Sequence, residues 1–129
     1  MERLKQRITS AKRALSALNE LVILEKPTLI ERDASIQRFE FSFEASWKAA
    51  KQYLYDMEGI DVASPKGVIR SLREIHILNE EETILGLQMV NDRSLTVHTY
   101  NEEIAIKIHS NLMQYYRLLA KIVEQIDSF

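Results

Sequence analysis

The apolar residues of this chain recur at steps of four and three through most of its length, and that period admits one kind of secondary structure. An α-helix turns once in about 3.6 residues, so side chains spaced this way fall on a single face. From Glu2 to about Glu25 the stripe is Leu4, Ile8, Ala11, Leu15, Leu18 and Val22. A second helix, to about Glu58, carries Ile36, Phe39, Phe43, Trp47, Ala50, Leu54 and Met57. The last carries Ile104, Ile108, Leu112, Tyr115, Leu119, Ile122 and Ile126. Between these lie two shorter stripes, Val68, Ile69, Leu72 and Ile75, then Ile84, Leu87 and Val90, the second reaching about Asp92.

The punctuation agrees with the period. Pro27 stops the first helix, and Thr28-Leu29-Ile30-Glu31 has capping-box spacing, in which hydroxyl and carboxylate satisfy each other's backbone amides. Gly59 suits a left-handed C-terminal cap, and Ser64-Pro65 places an N-cap serine before a proline whose missing amide is no loss at the first helical position. Asn79 followed by Glu80, Glu81 and Glu82 marks another N-terminus, with anionic side chains where the dipole favours them. His76 falls in the last turn of the third helix, where a cation suits the dipole. From Arg93 to Tyr100 the helical pattern weakens at the β-branched Thr96, Val97 and Thr99, and Asn101 restarts it. The expected fold is all-α, an antiparallel four-helix bundle of about five helices with a break before the last, forming one domain over residues 1–129.

Composition narrows the chemistry. A chain of 129 residues buries roughly two thirds of its unfolded surface and needs no staples. It has no cysteine, which excludes disulfides, thiolate zinc sites and cysteine nucleophiles. No apolar run approaches the ~20 residues of a membrane span, and the charged start Met1-Glu2-Arg3-Leu4-Lys5 reads as cytoplasmic. A formal charge of -2 argues against strong nonspecific nucleic-acid binding, although Arg3, Lys5, Arg7, Lys12 and Arg13 make the first helix locally basic. Ferritin-like metal bundles need Glu-x-x-His, whereas the residues three before the histidines are Arg73, Leu95 and Ile106. There is no phosphate-binding Gly-rich loop, and neither the Gly-Ser dipeptide nor the Asp-x-Asp of a nucleotidyltransferase catalyst. No cofactor and no metal are expected.

The compact set that remains is Arg93, His98 and Tyr100, within Asn91 to Glu103. A guanidinium can hold a phosphate through forked hydrogen bonds, and an imidazole can move a proton near neutral pH. Together they meet the minimum for metal-free cleavage of RNA by its own 2′-hydroxyl. The residues equally permit a structural reading, with Arg93 paired to a carboxylate such as Glu44, His98 capping or packing, and Tyr100 half-buried. Gln37, Glu40, Glu44 and Lys48 form a polar row along the second helix, either its wet flank or the wall of a polar cleft.

Arg93-Ser94-Leu95-Thr96-Val97-His98-Thr99-Tyr100 has the form R-x4-H-x-Y and resembles the signature of HEPT-domain proteins. The text from Arg32 to Leu54, Ser64-Pro65 and Asn91 to Glu103 is similar to the nucleotidyltransferase substrate-binding branch of that group. The resemblance implies a small helical subunit, usually a homodimer, that binds a separately encoded minimal nucleotidyltransferase as its substrate-binding or AMP-accepting partner, often as a toxin–antitoxin pair. It implies Tyr100 as the AMP acceptor, and Arg93 with His98 as the catalytic pair if the subunit is a metal-independent ribonuclease acting on RNA such as transfer RNA. Active nucleases of the group often carry Asn or Asp directly after the arginine, where this chain has Ser94. The remaining alternative is a purely structural dimeric bundle; the aromatic stripe of the second helix with Tyr115, Tyr116 and Leu119 suggests apolar surface for a second copy to cover.

Overall fold

The computed structural model describes residues 1–128. Its elements run α1 (Glu2–Val22), α2 (Leu29–Glu58), α3 (Pro65–Glu74), α4 (Glu80–Ser94), a 3-10 turn (Thr96–His98) and α5 (Glu102–Ile126). Helices α1, α2, α4 and α5 form an antiparallel four-helix bundle, and α3 packs against α2 and α4. Side-chain bridges give the directions. Arg7 near the start of α1 donates to the Lys48 carbonyl of α2 and Arg38 to the Ala17 carbonyl, so these two helices run oppositely. Lys121 meets Glu82, and Tyr115 meets Asp92, so α4 and α5 do the same. Arg32 binds Glu102, which puts the first turns of α2 and α5, and the joint before α5, at one end of the bundle.

The helix starts follow from their caps. Thr28 and Asn79 each close a reciprocal capping box with Glu31 and Glu82, and Ser64 accepts the Gly67 amide with Pro65 at the first helical position. The start of α2 fixes where its 30 residues, about 45 Å of rod, begin. This helix buries more than one stripe because it meets α1, α3 and α5 together. Ser35, Ser42, Ser46, Ala49 and Tyr53 join Ile36, Phe39, Phe43, Ala50 and Leu54 in the interior. The small side chains let neighbouring helices approach, and the Ser35 and Ser42 hydroxyls donate back to the Arg32 and Arg38 carbonyls. Trp47 is only partly buried, and Met57 is exposed at the far end. Phe39 stacks on Tyr115 of α5 at 5.5 Å between ring centres, joining the two longest helices at the centre of the core.

Three sequence expectations are corrected. Helix α1 ends at Val22, short of Glu25, because Ile23 and Leu24 lie exposed with no packed face to extend the helix. Helix α4 continues to Ser94 and packs more broadly than expected: Leu87 and Val90 lie against the core, Thr83, Gly86, Met89 and Asp92 are buried, and Ile84 is 62% exposed. Packing is close at Gly86, where an added Cβ would come within 3.0 Å of Ile69 on α3, so smallness joins apolarity in defining the contact face. His76 lies beyond the last turn of α3, in the left-handed region at φ 66°.

That histidine completes a Schellman motif. The His76 amide donates to the Arg73 carbonyl, and the Ile77 amide donates to the Leu72 carbonyl, both at 2.9 Å. Gly59 takes the same left-handed conformation after α2 at φ 67°, where a glycine is free to do so. A Cβ in this region costs about 1–2 kcal/mol, partly offset in a glycine variant by about 0.5–1 kcal/mol of regained chain freedom on unfolding. His76→Gly should therefore raise stability by about 0.5–1 kcal/mol. The check is a higher urea midpoint at unchanged slope; a midpoint that falls would refute the strain at this position.

Candidate functional site at the joint before the last helix

The joint is a run of tight turns. The Leu95 amide donates to the Asp92 carbonyl, the His98 amide to Leu95 and the Asn101 amide to His98, each closing an i to i+3 bond. The β-branched Thr96, Val97 and Thr99 disfavour continued α-helix, and the tighter spiral relieves them over a short stretch. Thr96 is buried and donates its hydroxyl to the Arg93 carbonyl at 2.8 Å, while Leu95 packs against the core. The Asn101 side chain then accepts the Glu103 and Ile104 amides to start α5. Arg32, only 11% exposed at its side chain, grips Glu102 at 2.6 Å and ties this start to α2. The guanidinium holds the Glu102 carboxyl below the usual glutamate range, chiefly through that hydrogen bond.

The joint presents the three sequence-predicted residues in two groups. His98 and Tyr100 are together: Nδ1 of the imidazole lies 3.1 Å from the Tyr100 hydroxyl, and the rings meet edge-on at 5.7 Å. Both are exposed, Tyr100 by 84%, which removes the half-buried reading of the tyrosine. Arg93 instead faces α2. Its Nη2 lies 4.0 Å from Glu44 Oε1, and its Nε is buried with no hydrogen-bond partner among the described residues. Among the described residues no hydrogen bond or ion pair joins Arg93 to His98 or Tyr100.

Glu44 is the hub of the α2 side. It accepts from the Trp47 indole at 3.0 Å, and Lys48 Nζ stands 3.8 Å away. Of the polar row, Glu44 and Lys48 thus belong to the surroundings of Arg93. Gln37 is exposed and Glu40 half-buried on the same helix, and no hydrogen bond or ion pair ties either to the joint among the described residues. Likewise no group of three or more His, Cys, Asp or Glu among the described residues is placed to hold a metal ion, and no helix is long and apolar enough to cross a membrane.

One functional neighbour escapes the sequence reading. Asp92, beside Arg93, is 1% exposed and accepts the Tyr115 hydroxyl at 2.6 Å. Lys107 stands 3.4 Å from its other oxygen, and Gln88 donates to the Tyr115 oxygen at 2.9 Å. Burial and the neighbouring Asp92 push the Tyr115 hydroxyl well above the ordinary tyrosine range. This lock fixes the end of α4 against α5 and so sets where Arg93 emerges. The sequence signal is slight: only Met89, one turn before Asp92 on the same helix, points to an inward position there.

The molecule is thus a helical-bundle protein with an exposed His–Tyr pair on the joint ahead of its last helix and, beside it, an arginine turned toward α2. It belongs to the family described as nucleotidyltransferase substrate binding protein like, whose sequence model matches residues 6–128. A crystal structure from Thermus thermophilus is 53% identical over 90% of this chain and 98% of that one, with a TM-score of 0.88. A Haemophilus influenzae protein, reported as showing the fold of a substrate binding domain of a nucleotidyltransferase, aligns at 19% identity over 94% of this chain and 99% of its own, with a TM-score of 0.78. The tri-AMPylated HEPN toxin of Shewanella oneidensis, in complex with MNT antitoxin, aligns at 15% identity over 98% of this chain and 97% of its own, with a TM-score of 0.72. The last two show the shared fold. No protein among the curated ones compared matches the chain.

The lock beneath the joint has a measurable pH signature. Because the folded Tyr115 hydroxyl ionises above its unfolded value, its contribution is complete below the ordinary tyrosine range and is lost as pH rises through and beyond it. Tyr115→Phe should cost about 1–3 kcal/mol at neutral pH, since it leaves a buried carboxylate short of a donor. It should also flatten the alkaline decline in stability; Tyr53, likewise pushed up by burial, retains part of the slope. Urea unfolding between neutral and alkaline pH checks both effects, and an unchanged alkaline limb would refute the assignment.

Proposed function

We propose that this chain is a cytoplasmic HEPT-type (HEPN-type) subunit that binds a separately encoded minimal nucleotidyltransferase and offers it Tyr100 as an AMP acceptor, in a toxin–antitoxin-like pair. The observation that carries the reading is the exposure of Tyr100 together with its hydroxyl 3.1 Å from His98 Nδ1. With the proton of the imidazole on Nε2, Nδ1 accepts the phenol hydrogen and can take it as a base. In the transfer the phenol oxygen bonds to the α-phosphorus of ATP, the bond from that phosphorus to the pyrophosphate oxygen breaks, and the phenol proton passes to His98. Triphosphate and magnesium are the partner's part, since this chain lacks the Gly-Ser and Asp-x-Asp patterns. Family membership supports the partnership, and the AMPylated Shewanella toxin with its MNT antitoxin is a relative of this fold in which such a modification is present.

A second reading, metal-independent cleavage of RNA by Arg93 and His98, is favoured by the state of the arginine. Its contact with Glu44 is loose at 4.0 Å and its side chain is 30% exposed, so its terminal nitrogens are open to a phosphate. The two readings fit together, because AMP on Tyr100 would set a phosphodiester beside the His98 ring and block the same surface. His98 stands free of ion pairs among the described residues, which weighs against the purely structural bundle. We also expect a homodimer, though through residues other than Tyr115 and Leu119, which are buried within one chain. Phe41 and Tyr55, 59% and 60% exposed on α2, and Val97 on the joint are among the exposed apolar residues open to a second copy, as are Leu29, Ile30, Ile84 and Ile106.

Co-expression with a minimal nucleotidyltransferase drawn from the genes adjacent to this one, followed by intact-mass measurement, tests the first reading. The wild type should co-purify and gain the mass of AMP, Tyr100→Phe should co-purify unmodified at that residue, and His98→Ala should be modified at least tenfold more slowly. Absence of both a complex and an AMP adduct would overturn it. Light scattering on the same sample should give two copies of this chain per particle, and a single copy would remove the dimer.

The ribonuclease reading is checked on the chain expressed without its partner. It should arrest growth and cut transfer RNA in the presence of a metal chelator, with Arg93→Ala or His98→Ala slowing cleavage by about 100-fold or more. Wild-type protein that is harmless in cells and inert on transfer RNA would sink that reading alone.

A further inference from the structure

At the corner between α3 and α4, away from the joint, lies an open hollow of about 440 Å³ lined by Arg70, Arg73, Glu74, His76, Thr83 and Leu87. At the helix seams the arginines are in use: Arg32, Arg38 and Arg93 face carboxylates, and Arg7 holds a backbone carbonyl. The Arg70 and Arg73 guanidinium groups share this one hollow and have no ion pair or side-chain hydrogen bond among the described residues. Separated by three residues on one helix face, their side chains start roughly 5–6 Å apart, a spacing at which two guanidinium forks can hold neighbouring oxygens of one phosphorylated group. Glu74 is the single acid on the rim, so the lining keeps a positive excess before His76 is counted.

The rim also contains the strained residue. His76 occupies a left-handed position that glycine fills without cost, and it keeps an imidazole at the edge of the hollow. Strain of this kind, observed first, is a pointer to a local role for the side chain. Leu87 gives the floor an apolar contact, and the volume suits a small organic ligand better than a bare anion. Leu87 precedes Arg93 by six residues, about 9 Å along α4, so the hollow is separate from the joint.

We propose that this hollow is a binding site for a small phosphorylated organic molecule, a nucleotide being the probe of choice, with its phosphate between Arg70 and Arg73 and its body over Leu87. The proposal does not rest on the role of Tyr100 or on a transferase partner.

Titration of the full chain with ATP, AMP and inorganic phosphate, followed by amide chemical shifts and calorimetry, tests it. ATP should bind saturably, perturb the amides of residues 70–76 and 83–87, and bind at least tenfold more tightly than inorganic phosphate. Arg70→Gln combined with Arg73→Gln should weaken it by at least tenfold with the helical spectrum unchanged, whereas Tyr100→Phe should not. His76→Gly should weaken binding severalfold while raising the melting temperature, an opposition that a purely structural histidine would not produce. ATP binding that survives the double arginine variant, or shifts that map to the joint, would overturn the site. ATP binding no tighter than inorganic phosphate would overturn its assignment to an organic ligand.

Discussion

The arrangement depends on one buried carboxylate. Asp92 sits at the end of α4 almost wholly out of water, and an ionised group there is tolerable only with partners in place. The Tyr115 hydroxyl and the Lys107 ammonium supply them from α5, two turns apart, so the two helices have one relative position in which both reach. Tyr115 in turn stacks on Phe39, which carries the same constraint to α2. Arg93 comes directly after Asp92 in the chain, so the direction in which it leaves the bundle is settled by an interaction it does not make. The polar lock and the aromatic stack share one residue, and the joint is built directly above it.

Much of this is legible in the sequence, and the exceptions have a common cause. The long helices and their starts can be read because period and caps are local: Thr28, Ser64, Asn79 and Asn101 act on amides within a few residues. Helix α4 departs from the apolar period because Thr83, Gly86 and Asp92 join Met89 among its buried residues while Ile84 points to solvent. The left-handed turn at His76 is hidden because its usual signal is a glycine. The residue types of the joint are legible too, and so is the contact of Arg93 with Glu44. The division of the joint into an arginine facing α2 and a histidine facing its own tyrosine is not, because it depends on long-range anchors such as Arg32 on Glu102.

The surface shows a similar division between charges that are used and charges left open. Several arginines and lysines close the bundle by reaching across to a neighbouring helix, as Arg38 does to Glu20 and Lys121 to Glu82. Such exposed pairs add little stability each, at most about 1 kcal/mol, yet they mark which faces are internal seams. Open positive charge remains at the α3–α4 corner, and exposed aromatic surface on α2.

The tight turns of the joint also explain why the spacing within it matters. A 3-10 spiral advances about 2 Å per residue and completes a turn in about three, so each residue added would swing the next side chain by roughly a third of a revolution. With the start of α5 pinned by Asn101 and Arg32, a single insertion after His98 would carry Tyr100 away from the imidazole, and only a whole turn would bring it back, displaced by about 6 Å. The separation of histidine and tyrosine by one residue is therefore an angular setting, held between two fixed helix ends.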